Sequence, residues 1–204
     1  MKNYKHLIEL ILALLWTGHA MAIEEPKYEV LRSDGPYEIR QYAPILIAET
    51  LVEGDMDEAS NKGFRRIADF IFGNNQAADS AAHAKIAMTA PVTVEPQNDT
   101  PNMQSAEQWR VNFVMPSQYT LASIPKPKSS AVSLREVPSK RFVVLKYSGF
   151  NTASRVQSKT QEATSWINNN NLKAIGTPQL SRYDPPWTLP MFRRNEIMIE
   201  ISTP

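Results

Sequence analysis

Apolar and polar positions alternate from Tyr37 to Tyr42, and a β-favouring run, Ile45 to Val52, follows between Pro44 and Gly54; both patterns predict strands. The spacing then changes. Asp55 is suited to cap a helix, with Glu58 three residues on, and Met56, Gly63, Phe64, Ile67 and Ile71 fall on one face before Gly73 ends the pattern. Residues 74 to 85 are rich in Asn, Ala, Ser and Gln and read as a flexible loop. Ile86 to Val94 and Trp109 to Met115 predict two more strands, joined by a polar excursion from Pro96 to Gln108, and Ile124 to Lys128 reads as a linker.

The second half repeats the order. Val132 to Glu136 alternates and Arg141 to Tyr147 predicts a strand. After Gly149, a helix is expected with Ala153, Val156, Thr160, Ala163 and Ile167 facing inward, stopped at Asn168 to Asn171. Gln179 to Tyr183 and Glu196 to Ile201 complete the series. Ile39 with Leu134, Arg40 with Arg135, Gly54 with Gly149 and Ala68 with Ala163 are each 95 residues apart. The offset predicts a duplicated α+β fold: two strand-strand-helix-strand-strand modules, about 28–123 and 129–202, related by pseudo-twofold symmetry in a distorted sheet or barrel with two helices. Neither module can cover its own sheet, so the two share a core, with a ligand cleft expected between them.

Composition narrows the function. The chain has 204 residues, 42% hydrophobic and 21% charged, with a formal charge of +1 and no cysteine. Such a chain has no electrostatic surplus for nucleic acid, no thiol chemistry and no thiolate metal site. Lys2, Lys5 and His6 precede an apolar run from Leu7 to Trp16, and Ala20-Met21-Ala22 supplies small residues for cleavage. Residues 1–22 are therefore expected to be a cleavable export signal, leaving a single domain over 23–204 in the periplasm or outside the cell. The apolar run is about half the ~20 residues a spanning helix needs, so no stable membrane anchor is expected.

Beyond the export signal the one histidine is His83, in the 74–85 loop, where a solvent-exposed imidazole is the simpler reading than a haem-iron ligand. No G-x-S-x-G, H-E-x-x-H or paired-carboxylate spacing appears, so no enzyme is expected. The segment Tyr183 to Glu196 is unusual, carrying three prolines beside Trp187, Met191 and Phe192. Two readings stand. Either these side chains plug an open barrel end, with Arg193 and Arg194 pairing to Asp184, Glu196 or carbonyls, or they line an apolar slot rimmed by cations and suited to a flat amphipathic carboxylate.

Three strings, KIAMTAPV at Lys85 to Val92, YEIRQY at Tyr37 to Tyr42, and YDPP followed by RRNEI within Tyr183 to Ile197, resemble the SOUL/haem-binding protein family. The resemblance runs from about Tyr28 to Ile201. It implies a fold similar to the effector-binding domain of bacterial drug-responsive regulators, and non-covalent binding of haem or another porphyrin. The implied site combines the first helix, with Met56, Phe64, Arg65, Arg66 and Ile67, and the loop before the last strand, with Trp187, Met191 and Phe192. Met88 lies in a matched string, and no axial histidine is implied. Another small hydrophobic or cationic ligand, or a protein-interaction module whose cleft is filled by Trp187 and Met191, are the alternatives.

Overall fold

The computed structural model describes residues 23–77, 82–97, 103 and 106–203; the expected export signal lies outside them. The strands are β1 (Tyr28–Asp34), β2 (Tyr37–Tyr42), β3 (Ile45–Glu53), β4 (Asn75–Gln76), β5 (Val92–Pro96), β6 (Gln108–Val114), β7 (Lys126–Pro127), β8 (Ser133–Val137), β9 (Lys140–Tyr147), β10 (Gln179–Arg182) and β11 (Asn195–Glu200). Among the described residues the α-helices are α1 (Met56–Ile71) and α2 (Ala153–Asn169), with a short 3-10 turn at Pro190–Phe192. Nine strands form one antiparallel sheet in the order β1-β2-β9-β11-β10-β5-β6-β3-β8, and β4 pairs with β7.

Setting β1 aside, this order reads the same under exchange of the two halves, and the residue register follows the duplication. Arg40 faces Phe142 across β2 and β9, while Arg135 faces Ile47 across β8 and β3. Each member of one pair is thus 95 residues from its counterpart in the other. Past the helices the offset falls to 86: Val94 faces Val111, and Leu180 faces Ile197. Val94 and Leu180, themselves counterparts, pair with each other where β5 meets β10, so the pseudo-twofold axis passes there. The chain from Ala68 to Val94 is nine residues longer than that from its counterpart Ala163 to Leu180, which accounts for the change and is why a single offset could align only the first part of each half.

Both helices pack on one face. Helix α1 lies over β3 and β6, and α2 over β9 and β11, the equivalent strands. Asp55 caps α1 by accepting from the Glu58 N–H at 2.8 Å, and Thr152 caps α2 by accepting from the Arg155 N–H at 3.3 Å. Gly63 lets α1 approach closely, since a Cβ there would meet Val111 at 2.5 Å. Between the layers Ile67, Phe70, Trp109, Phe113, Val143, Leu145, Ile167 and Ile197 are almost fully buried.

Several expectations change. Strand β1 went unanticipated because only Tyr28 of its residues is even half-buried. The strand expected from Ile86 begins at Val92, after Pro91, which has no N–H to donate to a ladder. The linker Ile124 to Lys128 contains β7 and a fully buried Ile124, and part of the 74–85 loop is its partner β4. Ala153 is exposed rather than inward. The seam between the halves is closed by β5–β10 hydrogen bonding and by the helix-side core, so the expected apolar cleft is replaced by a recess on the opposite face, described below.

Candidate functional site

Two features stand out beyond the core: an apolar surface at the loop joining β10 to β11, and a polar trough on the helix-free face. In the loop, Trp187 is 82% exposed, Phe192 72%, Met191 64% and Leu189 59%, and nearby Phe150 is 60% exposed. Isolated exposed apolar residues need no explanation, but five on adjoining turns do. The loop is held firmly. The Asp184 carboxylate accepts from the Arg194 N–H at 2.6 Å, and Arg193 donates to the carbonyls of Thr188 and Pro186. The Gly149 N–H donates to the Pro190 carbonyl at 2.8 Å, and the Arg193 guanidinium sits 5.5 Å from the Phe150 ring centre. Gly149 has a φ of 104°, which favours glycine where the chain turns to present Phe150. Asn195 donates to the Gly149 carbonyl, and Tyr147 donates to Asn151, which donates to Asn195, tying this turn to β11.

The expected pairing of Arg193 and Arg194 with carbonyls and carboxylates is therefore present, while Trp187, Met191 and Phe192 point to solvent instead of plugging the sheet. With both loop arginines engaged, other cations remain near this surface. The Arg155 side chain, exposed on the first turn of α2, makes one hydrogen bond among the described residues, to the Ser148 carbonyl at 3.1 Å. Arg182, at the base of the loop, pairs with Asp57 in the first turn of α1 at 3.3 Å. Phe64 lies seven residues beyond Asp57, hence on the same helix stripe about 10 Å along the axis. It is half-exposed with its ring 5.5 Å from that of Phe113, and exposed Arg65 adjoins it.

The other predicted residues are placed apart. Met56 and Ile67 are buried in the core, and Arg66 donates to the Leu51 carbonyl at 2.8 Å along the edge of β3. Met88 is exposed at the far end of α1, two residues past Ile86, whose N–H donates to the Ile71 carbonyl. His83 is exposed at that end too, its Nδ1 3.0 Å from the Asn75 carbonyl oxygen. The sixteen residues of α1 put about 24 Å between its two ends, so His83 and the loop surface belong to different places. Leu189, Phe150 and Arg155 were missed by sequence reasoning. Leu189 was available inside the proline-rich segment; Phe150 and Arg155 carried no local signal and are recruited by the fold.

The helix-free face of the sheet is a trough, and its two halves differ. On one side Tyr28, Tyr42, Phe142, Val144 and Met198 form a second apolar cluster. Against it lies a sealed ion network: Arg40 clasps Glu196 with two bonds, at 2.9 and 3.1 Å, and donates to Glu38 at 2.7 Å and to the Tyr42 hydroxyl at 3.0 Å. Arg194 and the Tyr183 hydroxyl also donate to Glu196, and the Tyr28 ring lies 4.3 Å from the Arg40 guanidinium carbon. Burial works against the Arg40 charge, but Glu196 outweighs it and raises the pKa. Burial and the neighbouring Glu196 charge push Tyr183 up, so its phenol stays a neutral donor. Toward the other side the trough opens into a recess of about 280 Å³, bounded on the sealed side by Tyr42, Phe142, Met198 and Lys140 and on the open side by Ile45, Ile47, Val114 and Val137 together with Thr93, Glu95, Arg110, Asn112 and Arg135. That volume is at the low end of the roughly 300–1,000 Å³ of small-molecule pockets and too small to enclose a tetrapyrrole.

A family model described as SOUL heme-binding protein matches residues 23–200. No match was found among curated proteins. Among solved structures, the EcmrR C-terminal domain superposes with a TM-score of 0.64 at 10% identity, over 87% of this chain and 99% of that one. A hydrolase from Listeria innocua superposes with a TM-score of 0.53 at 12% identity, over 84% of this chain and 94% of that one. At these identities the likeness establishes the fold alone. Among the described residues no helix is long and apolar enough to cross a membrane.

Proposed function

The chain belongs to the SOUL heme-binding protein family, and from that premise we propose that it is an exported protein that holds haem or another tetrapyrrole non-covalently on the surface around Trp187. The observation that carries this reading is the set of five large apolar side chains, Phe150, Trp187, Leu189, Met191 and Phe192, exposed on a pinned turn and loop. A flat macrocycle needs apolar area without a deep cavity, and a pre-ordered loop lowers the ordering cost of binding. Covering several hundred Å² of apolar surface at ~25 cal/mol per Å² offsets the association cost and supports micromolar affinity without an iron ligand. Arg155 and Arg65, rather than the engaged Arg193 and Arg194, are the cations available to propionates. Phe64 extends the apolar surface along α1. Bound haem would supply its own redox chemistry; the residues named here bind and orient it.

Titration with haem and with iron-free protoporphyrin tests this. Trp109 is buried and Trp166 is stacked on Tyr37, so Trp187 should report most of the fluorescence quenching. Trp187→Ala is expected to weaken both porphyrins by about tenfold or more, whereas His83→Ala should leave affinity unchanged. Absence of saturable quenching by either porphyrin would overturn the reading. Export through removal of residues 1–22 is tested by the mass of the protein recovered from the periplasmic or extracellular fraction, expected to begin at Ile23.

A further inference from the structure

We propose that the open half of the trough is a second ligand site, for a small aromatic carboxylate, independent of the tetrapyrrole surface. The argument comes from comparing counterparts across the pseudo-twofold axis. Arg40 on β2 and Arg135 on β8 are equivalent in sequence offset and in register. The side chain of Arg40 is 1% exposed and that of Arg135 is 44% exposed. Around Arg40 the chain supplies every partner a guanidinium needs: the Glu196 carboxylate accepting from two nitrogens, the Tyr42 hydroxyl oxygen accepting from Nη1, and the flat Tyr28 ring against one side.

Arg135 has only part of that set. Its Nε and Nη2 bond Glu49, and no hydrogen bond engages Nη1 among the described residues. Among the described residues no aromatic ring lies against it as Tyr28 lies against Arg40, because β1, which brings Tyr28, has no counterpart beside β8, the last strand of the sheet. The position equivalent to Glu196, 86 residues earlier, is Arg110, so a carboxylate in one half is replaced by a cation in the other. Arg110 pairs with Glu95 at 2.6 Å and with Glu49 at 3.3 Å, leaving Glu49 shared between two arginines.

The recess that results has a definite chemistry. Arg110, Arg135 and Lys140 line it with Glu95 and Glu200; Glu95 and Glu49 hold Arg110, Glu49 also holds Arg135, and Glu200 holds Lys140, so among the described residues the guanidinium nitrogen left for an anion is Arg135 Nη1. The Asn112 side chain, which has no hydrogen bond among the described residues, adds a free amide, and Ile45, Ile47, Val137 and Phe142 supply an apolar floor. A carboxylate bonded to Arg135 Nη1, with a ring over the guanidinium, would complete in this half what Tyr28 and Glu196 complete in the other; Lys140 is held by Glu200. The volume of about 280 Å³ suits a single ring with a short side chain.

The test compares phenylacetate, phenethylamine and phenethyl alcohol, alike in size and differing in charge, by NMR titration of the purified protein. Phenylacetate should bind saturably at millimolar concentration or below, more tightly than the other two, and added salt should weaken it. Arg135→Gln is expected to weaken phenylacetate about tenfold or more, and Val137→Trp, which fills the recess, to abolish binding, while Trp187→Ala changes nothing. Porphyrin titrations of the same variants should show the reverse pattern, so the two sites stand or fall separately. The proposal is overturned if phenylacetate gives no saturable shift, if phenethylamine binds as well, or if Arg135→Gln leaves affinity unchanged.

Discussion

Arg40 and Glu196 are almost wholly removed from solvent, a placement that costs desolvation energy on both charges and is tolerated because every strong donor and acceptor is matched. Arg40→Ala would take two hydrogen bonds from buried Glu196, leaving it to Arg194 and Tyr183, and is expected to cost about 3 kcal/mol in urea denaturation. Glu38 makes the same network acid-sensitive. Burial alone raises its pKa, but hydrogen bonds from Lys146 and Arg40 outweigh burial and hold it below the ordinary carboxylate value. A group whose folded-state pKa is depressed adds stability above its unfolded value, near ~4.3, and loses that contribution as pH falls through the folded-state value. Thermal melts of wild type should therefore fall more steeply below about pH 4.5 than those of Glu38→Gln. The strings YEIRQY and RRNEI, which carry the family resemblance, supply Glu38, Arg40, Tyr42, Arg194 and Glu196; the pairing of Arg194 with Glu196 was legible in sequence, but the clasp of Arg40 on Glu196, 156 residues away, was not, because it depends on which strands pair.

The loop between β10 and β11 illustrates what an element reveals before folding. Three prolines beside three large apolar residues contradict an ordinary solvated loop, so Trp187, Met191 and Phe192 could be singled out from their own composition. Phe150 and Arg155 could not, because they reach the same surface only through the turn at Gly149 and the start of α2. The inward stripe of α1 was also legible, but whether Phe64 at its margin faces core or solvent depends on the crossing of α1 over β6, which periodicity does not define. If the loop owes its order to its polar pins, its apolar tips contribute little to folding. Trp187→Ala and Met191→Ala should shift stability by less than about 0.5 kcal/mol in denaturant melts, whereas Asp184→Ala, which frees the Arg194 N–H, should cost about 1 kcal/mol and loosen the loop to proteolysis.

The duplication was visible in four residue pairs, yet its most important consequence lies in strand exchange. Each half donates its leading strand to the sheet of the other: β2 pairs with β9, and β8 pairs with β3. Neither half is expected to fold alone, because β8 pairs only with β3, the β1–β2 hairpin joins the main sheet only through β9, and Arg40 meets Glu196 only when both halves are present. Sequence periodicity indicates that two modules exist but carries no term for which strands pair, and this is also why the expected greasy seam is instead a hydrogen-bonded junction with a charged trough beneath it. Separate fragments 23–128 and 129–204 are expected to show no cooperative thermal transition by circular dichroism when alone, and to recover one on mixing, at a midpoint that rises with concentration. A fragment that melted cooperatively by itself would show that the two halves are neighbouring domains, and the asymmetry between Arg40 and Arg135 would then need an origin other than the single β1 strand that seals one side of a shared sheet.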